Sequence, residues 1–238
     1  LTCPTIVVNW RTVNLLIFKI IAEKVLFQMR LDMDRVSKQI AFIEHLDQLK
    51  LVLRQNLVMD ESRRENSAEH SWHMATMAMV LFEYAPQSLD QLRVFKMLLL
   101  HDVIEIEAGD TFCFDVEANM GKEERERLAA DKVFGLLPPD LDREFRGIWD
   151  EFEEGKTAEA LFANSLDRFQ VLLQNVNTRG GTWRIHNIEK SRVIQRMLPI
   201  KTGVPLLWPV VEEYLEEACA QGLLRDDKVV QKEGCPDR

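Results

Sequence analysis

The chain has 238 residues, 46% of them hydrophobic, enough to bury the core of one large domain. Lysine and arginine number 30 against 39 aspartates and glutamates, a net charge of −9. That balance excludes a protein that grips a nucleic-acid backbone through a basic stripe, but it leaves room for a small anionic ligand in a locally positive cleft.

Near the start, TIVVNWRTVNLLIFKIIAEKVLF is apolar, but Arg11, Lys19, Glu23 and Lys24 interrupt it. No run of about 18 uncharged residues remains for a membrane-crossing helix, and no small-residue cleavage site follows. No membrane partner is expected. Residues 1–32 read as an appendage, helical in pattern and without chemistry of its own, because Met33 directly precedes a clean amphipathic pattern. The domain is placed at residues 33–224, and residues 225–238 read as a polar, disordered tail.

From Asp34 onward the spacing is helical almost throughout. Val36, Ile40, Ile43, Leu46, Leu49 and Leu53 step by three and four and predict a helix of about five turns. The polar stretch MDESRRENSAEH follows as a connection, in which Asn66 and Glu69 form a capping box. The helix they open carries His70, Trp72, His73, Met74, Met77 and Val80 and stops before Pro86. Ser88 and Gln91 predict a second box, opening a helix that runs through FKMLLLHDVIEIE to Gly109. GDTFCFDVEANMG has no period and reads as a loop; GKEERERLAADKVFGLL is a charged helix closed by Pro138 and Pro139. Further helices are expected near 140–153, 156–177, 183–198 and 206–222. With no strand alternation, the expected fold is all-α, in one compact domain. Cys3, Cys113, Cys219 and Cys235 are scattered without a C-x-x-C pair, which fits a reducing compartment and predicts a cytoplasmic protein.

Chemistry concentrates in LLLHDVIE, Leu98 to Glu105. A carboxylate buried beside such leucines needs its charge compensated, by a metal, by an arriving Lys or Arg, or by a turn toward solvent. A protein-held divalent metal needs three or four N/O donors from different elements. The chain has five histidines, and His70 and His101 fall at the centres of consecutive long helices expected to be antiparallel neighbours. Asp102 is adjacent to His101, and Glu105 lies one turn on. Asp110 follows Gly109, and Asp167 sits at the margin of the apolar stripe in LFANSLDRFQVLLQN. Each has a plainer reading: Asp167 as an exposed acid beside Arg168, Glu105 and Glu107 as helix-surface charge, His73 as a core or supporting histidine, His45 and His186 as packing residues. The combination is what points to a site.

That combination resembles the HD-domain metal-dependent phosphohydrolases, and most of all their 5′-deoxynucleotidase-like branch. The likeness is carried by RRENSAEHSWH (Arg63 to His73), LLLHDVIEIEAGDTF (Leu98 to Phe112) and ANSLDRFQ (Ala163 to Gln170) and covers roughly residues 34 to 220. It implies one divalent metal bound by His70, His101, Asp102 and Asp167. It implies that Glu105 works on the attacking water, that Asp110 lies near water or substrate, and that an upstream arginine, Arg54 or Arg63, takes the substrate phosphate. Deoxyribonucleotide-selective relatives place a Trp directly after that arginine; here Gln55 and Asn56 follow Arg54, so the resemblance leaves the sugar open. Relatives of this kind are often dimers, which makes the helices near 183–198 and 206–222 candidates for a homodimer interface.

Two histidines and two aspartates leave positions on a metal for water and a phosphate oxygen, and such a mixed shell suits Mn, Co, Fe, Ni or Zn better than Mg. The leading expectation is a 5′-nucleotidase-like phosphohydrolase acting on nucleoside 5′-monophosphates. The alternatives are a nucleotide pyrophosphohydrolase or phosphodiesterase, or a non-catalytic binding module stabilised by its metal.

Overall fold

The structure, a computed structural model, describes residues 10–227. The chain opens on a long helix, α1 (Trp10–Leu46), continued by a 3-10 turn at Asp47–Leu51. Its last turns enter the domain: Arg35 forks onto Asp140 at 2.7 and 2.8 Å, and Phe42 meets the ring of Phe145 edge-on at 5.9 Å. The helix crosses residue 33 without a break, while Phe18, Leu26 and Phe27 before it are exposed.

Two short strands follow, β1 (Leu53–Leu57) and β2 (Arg64–Asn66), which pair antiparallel with Leu53 opposite Asn66 and Leu57 opposite Arg64. The connection that sequence pattern treats as a polar linker is therefore a hairpin. Its turn is closed by the Glu61 N–H on the Val58 carbonyl at 2.8 Å and by Asp60 accepting from Ser62, with Glu61 in the left-handed region. The all-α architecture stands, with this small sheet added.

Asn66 ends β2 and caps α2 (Ser67–Leu81): its side chain accepts from the Glu69 N–H, and the Glu69 carboxylate accepts from the Asn66 N–H. The expected capping box is present. The next one is not. Asp90, rather than Ser88, caps α3 (Gln91–Leu100) by accepting from the Arg93 N–H. Nor does α3 run to Gly109. At His101–Ile104 the backbone tightens into i to i+3 bonds, Val103 to Leu100 and Glu105 to Asp102, before one turn of helix, α4 (Glu105–Ala108), ends at Gly109 with φ of 74°. The apolar period continues across this break, which hides it from pattern reading.

The rest is helical: α5 (Lys122–Phe134), α6 (Pro139–Glu154), α7 (Ala158–Asn177), α8 (Gly181–Ile185), α9 (Lys190–Met197), α10 (Pro199–Gly203) and α11 (Trp208–Ala220). The single helix expected at 183–198 is divided into α8 and α9 by Asn187, whose φ of 51° no helix accepts. Thr157 caps α7 through the Ala160 N–H. Phe162, Leu166 and Leu172 of α7 are fully buried among α2, α3, α6 and α10, so this helix is the axis of the core. After α11, Arg225 pairs its backbone with Glu189 and Lys190, pinning the first residue assigned to the tail; residues 228–238 lie outside the described part.

Candidate metal and substrate site

The antiparallel run of α2 and α3 brings the first turn of one beside the last turn of the other. His70 is the fourth residue of α2, and His101 caps the end of α3, so both sit at helix ends rather than helix centres. Their rings lie 5.5 Å apart, buried, and with Asp102 they form a group whose donor atoms all fall within 4.8 Å of one another. Asp167, from the middle of α7, stands outside that group of three but touches it, its Oδ1 lying 3.1 Å from His70 Nε2.

The histidine tautomers follow from their other neighbours. His101 Nδ1 is 3.1 Å from the Leu98 carbonyl, which can only accept, so Nδ1 carries the hydrogen and Nε2 the lone pair. His70 Nδ1 faces the Gln170 amide oxygen at 3.1 Å, because the Gln170 nitrogen is turned to Glu65 at 2.9 Å. Both Nε2 atoms are thus turned to the interior of the group, where His70 Nε2 faces Asp167 Oδ1 and His101 Nε2 lies 3.0 Å from Asp102 Oδ1. His101 Nε2 is buried without a hydrogen-bond partner. Two oriented imidazoles, one with a buried nitrogen that makes no hydrogen bond, beside buried carboxylates form a donor set that fits a divalent ion.

The acids around the group split in character. Burial alone would raise the Asp102 carboxyl, but His101, Arg54 and His70 hold it well below the usual range. Glu105, buried and accepting from Ser67 Oγ at 2.7 Å, is pushed by burial, Asp102 and Asp110 up to about 8. Asp110 is raised by burial, against the pull of Arg54. A low carboxylate therefore stands beside a raised one.

The two arginine candidates part company. Arg54, carried in by β1, is nearly buried, donates through one nitrogen to Asp102 and faces Glu65 at 3.8 Å. Arg63 points outward, 54% exposed, and pairs bidentately with Glu69 at 2.7 and 2.8 Å, so the structure does not bring it to the site. Arg54, His101, Asp102, Glu105, Asp110 and Asp167 all line one cavity of about 200 Å³, with His70 behind its wall. Gln55 and Asn56 line it too.

Sequence reasoning missed Glu65 and Gln170, which orient His70, and Ser67, which orients Glu105. It also missed Arg168 and Arg196, both on the cavity wall. His73 is a supporting residue, its Nδ1 3.3 Å from the Gln170 nitrogen, and His186 packs on the Phe112 ring at 4.4 Å.

A helical bundle with two histidines and an aspartate gathered where two antiparallel helices end is a metal-site fold. The HD domain model matches residues 46–208, and the chain belongs to that family. A crystal structure of a protein described as a predicted metal-dependent phosphohydrolase from Magnetospirillum magnetotacticum is 47% identical, with a TM-score of 0.77, covering 80% of this chain and 95% of that one. The human 5′-deoxynucleotidase HDDC2 is 34% identical over 134 residues, 56% of this chain and 64% of that protein. The chain thus matches somewhat less than two thirds of this curated relative's length. A 5′-deoxynucleotidase of Pectobacterium atrosepticum is 25% identical over 164 residues, covering 65% of this chain and 82% of that protein.

Proposed function

We propose that the chain is a metal-dependent phosphohydrolase that removes phosphate from nucleoside 5′-monophosphates. The carrying observation is the pair of imidazoles whose Nδ1 atoms are engaged and whose Nε2 atoms converge with Asp102, next to a glutamate that holds its proton to high pH. His70, His101 and Asp102 would hold the ion, with Asp167 in reach through His70. When bound, the ion acidifies a water and offsets charge on the phosphoryl group. Glu105, fixed by Ser67, is placed to take the proton of that water in its ionised form and to return it to the leaving oxygen. Asp110 shares its end of the cavity. Arg54 holds Asp102 in place, and Glu65 with Gln170 fixes the His70 ring. Membership of the family and relatives named 5′-deoxynucleotidases support a nucleotide substrate.

Metal-stripped protein resupplied with manganese or cobalt is expected to release inorganic phosphate from a panel of ribo- and deoxyribonucleoside monophosphates. His101→Ala should lose both bound metal and turnover. Glu105→Ala should keep the metal and lose about 100-fold or more in kcat. Pyrophosphate as the product would replace this reading with a pyrophosphohydrolase; metal bound tightly with no nucleotide cleaved would sink it.

A further inference from the structure

The cavity's cations are unevenly matched. Arg54 is engaged by Asp102 and Glu65, Arg63 by Glu69 outside, and Lys122 by Glu126 at 3.3 Å. On the wall formed by α7 and α9, Arg168 is held by Asp167 alone, and no ion pair holds Arg196 among the described residues. Arg168 places one guanidinium nitrogen on Asp167 and another 3.4 Å from the Asn164 amide oxygen, while its Nε is buried with no partner. Arg196 is half-buried and has no acidic partner among the described residues. Two guanidinium groups therefore face one cavity with a single ion pair to a carboxylate between them. Like charges held together on rigid helices inside a cavity, with donors left over, call for an anion from outside the chain.

We propose that Arg168 and Arg196 form the anion-binding wall of the cavity and receive the phosphate of the substrate, while Arg54 is a positioning residue for Asp102. Arg168 sits directly on Asp167, which touches His70, so an oxyanion it holds is beside the histidine group. A phosphate dianion offers enough acceptors to take the unused Arg168 Nε–H and the free Arg196 fork together. A lone carboxylate leaves donors unmet. The nature of the anion rests on the phosphohydrolase reading above; the existence of the wall does not.

Inorganic phosphate titrated calorimetrically into the metal-loaded full chain tests the wall without any turnover. Arg196→Ala touches none of the proposed metal ligands and is expected to weaken phosphate binding about tenfold or more, with metal content by elemental analysis unchanged. Arg196→Lys, keeping charge without the fork, should fall between the two. In turnover, Arg196→Ala should raise KM for a monophosphate more than it lowers kcat. Phosphate affinity unchanged in Arg196→Ala, or lost in Arg54→Ala alone with metal retained, overturns the assignment. Phosphate bound in an Arg196-dependent way by a protein that cleaves no monophosphate supports the wall and removes the nucleotidase reading.

Discussion

Glu105 keeps its proton to a pH at which an ordinary glutamate has long lost it. Its carboxyl, about 4.5 when unfolded and pushed to about 8 by burial beside Asp102 and Asp110, binds a proton more tightly in the folded chain. Its contribution to stability is therefore fully present below about pH 4.5 and is lost as the pH rises through about 8. Metal-free protein is expected to show a falling melting temperature over that window, and Glu105→Gln should flatten the slope. A slope identical in Glu105→Gln would assign the effect to other groups. The residues legible in the sequence are those whose type announces chemistry: His70, His101, Asp102, Glu105, Asp110 and Asp167 all reach one neighbourhood. Glu65 and Gln170 were silent, because a polar residue in a linker and a glutamine in an amphipathic helix carry no signal until the fold sets them against a histidine.

Among the elements, α10 packs tightly on α7 at Gly203. A Cβ on Gly203 would lie 2.2 Å from both the Leu161 carbonyl oxygen and Ser165 Oγ. Ser165 itself bridges the two helices, donating to Leu161 and lying 3.1 Å from the Pro199 carbonyl. Gly203→Ala must push α10 off the core axis and is expected to lower stability by about 1–3 kcal/mol or more in denaturant titration. An unchanged midpoint would mean that α10 moves freely. Helices with a sustained period were readable in the chain. The hairpin was not, because β2 has three residues, too few for alternation to register. Its importance is out of proportion to its length, since β1 and β2 deliver Arg54 and Glu65. The break at His101–Ile104 was hidden for the opposite reason: its residues are all buried, as those of a core helix are.

At the scale of the molecule, the domain is held around α7, and α1 joins it only from about Arg35 onward. Phe18 is 75% exposed and Leu26 66%, so the described side chains before Met33 add little apolar burial. Deleting residues 1–32 is expected to leave the melting temperature within about 2 °C, whereas a fall of more than about 5 °C would make the segment part of the domain. Within the domain, the polar contacts close on themselves. His70 bonds Gln170, Gln170 bonds Glu65, Glu65 faces Arg54, Arg54 pairs with Asp102, and Asp102 returns to His70 at 3.9 Å. These five side chains come from four stretches of chain, and replacing any one strands a donor or acceptor of the next in a buried place. Descendants of this sequence that keep His70 and Asp102 for the metal are therefore expected to vary Arg54, Glu65 and Gln170 in concert, and a library randomising those three together should yield functional combinations that single steps do not reach.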